Sequence, residues 1–217
     1  MILYSYFRSS ASYRVRIALA LKGLPHEYAG VHLVKGGGEQ HASDYRSLNP
    51  EGLVPTLLDD SNVLTQSLAI IEYLDERHPS PPLLPKNPAD RAFVRSIALQ
   101  IACDIHPVNN LRVLQYLTKR IGITDEQKTE WYRHWIDLGF EALESRLASD
   151  PRVGRFVFGD SPTLADVCLV PQAWNARRFN IPLDGFPTIS RLVDHASSCD
   201  AFIQAEPGNQ PDAEGSV

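Results

Sequence analysis

Three serines, Ser9, Ser10 and Ser12, stand between a stretch that alternates over residues 2–6 and the segment YRVRIALALKG. The first reads as a strand, and the second carries Val15, Ala18 and Leu19 at helical spacing. The serines therefore occupy a strand-to-helix turn. A helix N-terminus at such a turn favours anions, thiolates included. Arg8 immediately precedes it, which makes a helix-terminal anion site beside an arginine. The turn has Ala11 among its serines and no cysteine, so a sulfur acting there has to be brought in. The same serines could simply cap the helix, since Ser is a preferred N-cap residue.

Other chemistry-bearing residues are sparse. The three cysteines, Cys103, Cys168 and Cys199, are too few and too scattered for a disulfide framework or a zinc site. Cys103 and His106 can be drawn as a nucleophile or metal pair, but two ligands make no zinc site and Cys103 is expected to be buried packing; no metal is expected. Thr163 and Asp166 form a Thr-x-x-Asp start before an apolar run, which reads as a helix cap rather than a catalytic pair. Trp131, Trp135 and Trp174 read as core or cleft wall.

The chain has 217 residues, 43% of them hydrophobic and 22% charged, with a net charge of −5. That is ordinary globular composition and argues against nucleic acid or an anionic membrane surface as partner. No run of about 18 or more apolar residues offers a membrane span. The N-terminus lacks the features of a secretory signal, and an odd cysteine count suits a reducing compartment; the expected location is cytoplasmic.

The elements that must position the serine turn follow in the order β-α-β-α-β-β-α. HEYAGVHL (26–33) reads as the second strand, VPTLLDD and NVLTQ as two strands joined around Asp59–Asn62, and SLAIIEYLDERH as a helix with Ser67 as its N-cap. The proline-dense PSPPLLPKNP reads as a linker. Everything after about Ala89 reads as helix, interrupted at Pro107, and the tail 206–217 as loose. The expected domains are 1–79, a linker 80–88, and 89–217.

A β-α-β-α-β-β-α domain with Val-Pro at a strand start, followed by a proline linker and a helical domain, resembles a cytosolic glutathione transferase. The stretches YSYFRSSASYRVRIALALKG, LNPEGLVPTL, QSLAIIEYLDE and TLADVCLVPQAWNARRFNI resemble the zeta class, which includes maleylacetoacetate isomerases; CDIHPVNN is also similar to bacterial maleylpyruvate isomerases. The resemblance spans nearly the whole chain. It implies a thioredoxin-like α/β N-terminal domain plus an all-α C-terminal domain, with glutathione supplying the missing sulfur as cofactor and a homodimer as the assembly.

By the same resemblance, Ser9 is the activating serine, and Ser10, Arg8 and Arg178 complete the candidate catalytic set. Ser9, Ser10, Ala11, Gln40, Val54, Pro55, Gln66 and Ser67 would contact glutathione, with Val54-Pro55 a cis bond, and Asp104, His106, Asn110 and Arg112 would line the cleft and also touch glutathione, in some relatives from the other subunit. His106 and Asn110 share a face if the helix continues through Pro107, which can instead bend or restart it. Arg178 would hold a substrate carboxylate while its neighbour Arg177 points elsewhere, since adjacent helical residues diverge by about 100°. The implied activity is glutathione-dependent cis–trans isomerisation of maleylacetoacetate. Alternatives are isomerisation of maleylpyruvate, conjugation of small electrophiles such as α-haloacids, and a non-catalytic binding module on the same fold. Zeta-class chains often carry cysteine where this one has Ala11, which removes chemistry that needs that cysteine. By the resemblance, maleylpyruvate isomerase has an arginine where this chain has Leu111, which favours maleylacetoacetate or else Arg112 substituting for that arginine.

Overall fold

The structure is a computed structural model that describes residues 1–213. In chain order its elements are β1 (Ile2–Ser5), α1 (Ser10–Leu21), β2 (Glu27–Gly30), α2 (Ser43–Leu48), β3 (Thr56–Asp59), β4 (Asn62–Thr65) and α3 (Ser67–Arg77). Then come α4 (Pro88–Leu99), α5 (His106–Val108), α6 (Leu111–Tyr116), α7 (Asp125–Ser149), α8 (Leu164–Arg178), α9 (Pro187–Ser197) and α10 (Asp200–Ala205). The chain divides into two compact units, one of residues 1–82 joined by the C-terminal segment from Ser198, the other Leu83–Ser197.

In the first unit the sheet runs β2-β1-β3-β4, with β1–β2 parallel and the other pairs antiparallel. This mixed α/β sheet is the expected thioredoxin-like arrangement. Leu3 pairs with Leu57, both fully buried, while the next residue, Tyr4, points to the opposite face and meets Tyr45 of α2 with ring centroids 5.9 Å apart. The second strand is shorter than the reading of 26–33, because Val31 leaves the β1 ladder after one last bond to Ser5 O. The polar stretch that follows holds two single 3₁₀ turns, Lys35–Gly37 and Glu39–His41, before α2.

Helix α1 is buried almost all round and stops at Gly23, whose φ of +61° admits the left-handed C′ conformation. Gly23 N–H bonds Ala20 O at 3.0 Å and Leu24 N–H bonds Leu19 O at 3.0 Å, which satisfies the last carbonyls. Two arginines, Arg14 and Arg16, lie inside the fold on this helix, 2% and 3% exposed. Buried cations cost several kcal/mol unless bonded. Arg16 meets that cost with Ala205 O (2.9 Å), Ser5 Oγ (3.2 Å), Tyr6 O (3.4 Å) and Phe7 O (3.1 Å).

The residues beyond α10 correct the expectation of a loose tail. Helix α10 packs on α1, Pro207 is buried, and Asp212 accepts from Phe7 N–H at 3.1 Å and from the Tyr28 hydroxyl at 2.6 Å. A polar composition could not reveal this, because the anchoring partners lie 184 and 205 residues upstream. The last four residues of that tail reading, 214–217, lie outside the described residues.

The second unit is helical throughout. On α7, Tyr132, Ile136, Phe140, Leu143 and Leu147 are buried at spacings of three and four, one stripe of the helix. Helix α8 is buried from Leu164 through Ala173 and packs on α4 and α9. Pro88 sits in the first turn of α4 behind an Asn87 N-cap, where its missing N–H costs nothing. The Pro107 interruption is real: a π-helical stretch Gln100–Ile105 leads into α5, which ends at Val108, and the helix restarts at α6 with Asn110 as its N-cap. Cys103 is exposed on the π-helical stretch, not buried as expected, because it lies midway between the buried Ile101 and Ile105 and so on the opposite face. Among the described residues no helix is long and apolar enough to cross a membrane, and no group of three or more His, Cys, Asp or Glu could hold a metal ion.

Asp166 caps α8 as its Thr-x-x-Asp pattern predicts. Its carboxylate accepts from Thr163 N–H (2.8 Å), Thr163 Oγ1 (2.9 Å) and Val157 N–H (2.8 Å). Burial pushes its carboxyl up to about 6, against the pull of those bonds. The folded state therefore holds this proton more tightly than the unfolded chain, so this residue's contribution to stability falls as pH rises from about 4 to about 6. Asp166→Asn, which cannot ionise and accepts through one oxygen only, is expected to lower stability by about 1–2 kcal/mol and to remove that slope. Denaturant titrations across the window measure both; an unchanged slope would show that the carboxyl titrates elsewhere.

Candidate functional site

The first unit brings most of its expected site residues together around the N-terminal ends of α1 and α3. Ser9 is the N-cap of α1: its Oγ accepts Ser12 N–H at 3.2 Å, and its own N–H bonds Tyr6 O at 2.9 Å. Capping and activation, set against each other in the sequence, are compatible here. A hydroxyl oxygen that accepts the cap bond still has its proton to donate. The cap fixes that oxygen at the positive end of the helix. Ser10 is buried at the first helical position and Ala11 half-buried beside it. Arg8 is exposed, with its guanidinium 4.8 Å from the Phe7 ring centroid.

Val54-Pro55 is a cis bond, as the resemblance implies. Val54 is buried in a cluster with Tyr6, Phe7, Val31 and Tyr45, yet its backbone N–H and C=O make no hydrogen bond among the described residues. A buried main-chain pair of that kind is suited to an extended peptide. Gly52, two residues before it, has φ +61°, and a Cβ there would come within 3.1 Å of Gln40 O. Only glycine meets both demands, and the close approach carries Gln40 to this edge. The Gln40 side chain is buried, donating to Leu33 O at 3.2 Å, while its Oε1 has no partner among the described residues.

Ser67 does not cap α3, which corrects the sequence reading. It is the first residue inside the helix, and the cap position belongs to Gln66, whose φ of +67° is unusual for a residue with a side chain. No side chain caps this helix, so its first N–H groups keep the unmet donors that suit an anion. Arg14 reinforces it from inside, donating to Ser67 Oγ at 3.2 Å and tying α3 to α1. Gln66 Nε2 donates to both oxygens of Glu51, at 3.3 and 2.9 Å. A cation-reinforced helix end with a carboxylate beside it suits a zwitterionic amino-acid head. Sequence reasoning missed Arg14 and Glu51. The one available signal was two arginines on an otherwise apolar helix.

In the second unit the segment 104–112 and Arg178 are connected through Tyr132. Asn109 Nδ2 donates to Tyr132 O at 3.1 Å, the Tyr132 ring stacks on Phe179 at 3.7 Å, and the Arg178 guanidinium lies 4.8 Å from the Phe179 centroid and 5.6 Å from Trp174. Arg177, by contrast, is engaged with Asp194 at 2.6 Å. The two arginines diverge as helical geometry requires. Across the break at Pro107, His106 Nε2 and Asn110 Nδ2 remain 3.3 Å apart. Asp104 and Arg112 are exposed.

The chain matches the family models for the glutathione S-transferase N-terminal domain over residues 3–82 and C-terminal domain over 136–195. It belongs to the glutathione S-transferase family. It is 52% identical to a probable maleylacetoacetate isomerase of Vibrio cholerae over 98% of each chain. Among solved structures it resembles holo maleylpyruvate isomerase, a bacterial zeta-class member, with a TM-score of 0.96 and 47% identity over 99% of this chain and 100% of that one. It also resembles the maleylacetoacetate isomerase of Methylobacterium extorquens AM1, solved with malonate and glutathione bound, with a TM-score of 0.95 and 39% identity over 99% and 100% of the two chains.

Proposed function

We propose that this protein is a glutathione-dependent cis–trans isomerase that converts maleylacetoacetate to fumarylacetoacetate. The observation that carries the reading is near-full-length similarity, at 39–52% identity, to isomerases of this one chemical type. The residues of the first unit fit glutathione: an unpaired main-chain edge at Val54 for its cysteinyl part, the uncapped α3 terminus with Ser67 and Gln66 for its γ-glutamyl head, and Gln40 toward its glycine end. Bound glutathione supplies a thiol nucleophile that adds reversibly to the double bond and so permits rotation about it.

The chain's own groups do the rest. Ser9 donates its hydroxyl hydrogen bond to the sulfur and holds it anionic, assisted by the α1 N-terminus and the N–H groups at Ser10 and Ala11. Arg8 and Arg178 hold the substrate's carboxylates and the negative charge that develops on its oxygen. A dicarboxylate, malonate, together with glutathione in the Methylobacterium relative supports a site for a dianion. Asp104, His106, Asn110 and Arg112 line the cleft and contact glutathione. The protein works as a homodimer in the cytoplasm.

A second reading, isomerisation of maleylpyruvate, is favoured by the TM-score of 0.96 to that enzyme. Spectrophotometric assays of both acids, each with and without glutathione, test the two together. Glutathione-dependent turnover orders of magnitude above glutathione alone is expected for maleylacetoacetate. Faster turnover of maleylpyruvate would reassign the substrate. No turnover of either acid, by protein that still binds glutathione, would leave a conjugating transferase.

A further inference from the structure

The backbone that leads into the Ser9 turn is held from two sides by groups that the proposed chemistry does not use. Both main-chain groups of Phe7 are taken: its N–H donates to Asp212 Oδ2 at 3.1 Å, and its C=O accepts from Arg16 Nη2 at 3.1 Å. Tyr6 O accepts from Arg16 Nη1 at 3.4 Å and also receives the Ser9 N–H at 2.9 Å. Arg16 lies seven residues beyond Ser9, two turns along the helix that Ser9 caps, so α1 reaches back to grip its own entry.

The other ends of these contacts lie on the C-terminal segment. Arg16 Nε donates to Ala205 O at 2.9 Å, the final carbonyl of α10, where a cation is favoured. Asp212 is anchored through its second oxygen by the Tyr28 hydroxyl at 2.6 Å, and Tyr28 sits opposite Leu3 on β2. Tyr13, on α1, reaches Phe202 O at 3.5 Å. The segment 200–212 is thereby clamped to α1, to β2 and to the Phe7 backbone that leads into the serine turn.

We propose that the C-terminal segment 200–212 is part of the thiol-activating apparatus, with Asp212 and Arg16 as positioning residues that fix the Tyr6–Ser9 backbone and hence the Ser9 hydroxyl. The inference rests on the activating role given to Ser9. A displacement of about 1 Å in such a donor costs on the order of 10²-fold in rate, whereas a clamp that only stabilised the fold would leave the donor in place once folded.

The test compares Asp212→Asn, Tyr28→Phe and Ser9→Ala with the unaltered protein. Asp212→Asn keeps the shape but has one acceptor oxygen for two donors, and Tyr28→Phe removes the hydroxyl that anchors Asp212 together with its bond to Ser5. Three quantities are measured: exchange of the Phe7 and Ser9 amide hydrogens in ligand-free protein, the ultraviolet titration of bound glutathione's thiol, and kcat beside KM. For Asp212→Asn we expect amide exchange faster by about tenfold or more, a thiol titration moved to higher pH, and kcat lowered by about 10- to 100-fold with KM little changed. Tyr28→Phe should do the same to a smaller degree and keeps the test open if Asp212→Asn fails to fold. Lowered thermal stability with an unmoved thiol titration in the folded variants, while Ser9→Ala moves it, overturns the positioning role alone. An unmoved titration in Ser9→Ala overturns the Ser9 reading, and this inference with it.

Discussion

Ser9→Ala is expected to lower kcat by about 10²- to 10³-fold, the range seen when one preorganised donor to a developing or held anion is removed. Two effects are superimposed and have to be separated. The substitution also deletes the Ser9 Oγ···H–N Ser12 cap, worth about 1 kcal/mol of stability. Ser9→Gly removes the same hydroxyl but costs only a few tenths of a kcal/mol as a cap. If activation by the hydroxyl is the cause, both variants lose comparable rate, although only alanine lowers the melting temperature appreciably. Ser12 provides the internal comparison. Its Oγ is buried without a partner among the described residues, so Ser12→Ala removes an unsatisfied group and should be neutral or slightly stabilising, with kcat within about twofold. Equal small losses at Ser9 and Ser12 would reduce the turn to a helix cap. Steady-state kinetics and thermal melts on the three variants decide the matter.

The second large effect is expected at Arg178. Its guanidinium lies 5.6 Å from the Trp174 ring centroid and 4.8 Å from that of Phe179, and Phe179 is stacked on Tyr132. Such cation–π contacts favour a guanidinium at this place, and its fork suits a carboxylate in bidentate geometry. Arg178→Ala should therefore lower kcat/KM by about 10²- to 10³-fold, and Arg178→Lys, which keeps the charge but loses the fork, by about tenfold. Arg177 is the adjacent control: its ion pair with Asp194 is exposed, and such pairs are worth about 0–1 kcal/mol. Arg177→Ala should leave kcat/KM within about twofold. If the two alanine variants behave alike, the carboxylate anchor is not on this helix end.

Some of the site was legible because it depends on local rules. A strand, a serine and an apolar helix at the right spacing predict a capped helix start, and Ser9 is one. A Thr-x-x-Asp before an apolar run predicts the α8 cap, and Asp166 makes it. The divergence of Arg177 and Arg178 follows from helical geometry alone. Ser67 misled, because an N-cap is defined by backbone dihedrals and not by residue type. Gln66, held at positive φ and bonded to Glu51, takes the cap position and moves Ser67 inside the helix.

By itself, then, the sequence determined the order of strands and helices, the caps that begin α1 and α8, and the residue types available at the serine turn, since each is set by neighbours within a few positions. Only the tertiary structure decided which distant groups reinforce that turn and the start of α3. Arg14 joins Ser67 across 53 positions, Arg16 meets Ala205 across 189, and Asp212 meets Phe7 across 205. The reason is that a buried arginine or carboxylate has to be bonded, but its type and local spacing carry no information about which remote carbonyl or N–H the fold will bring to it.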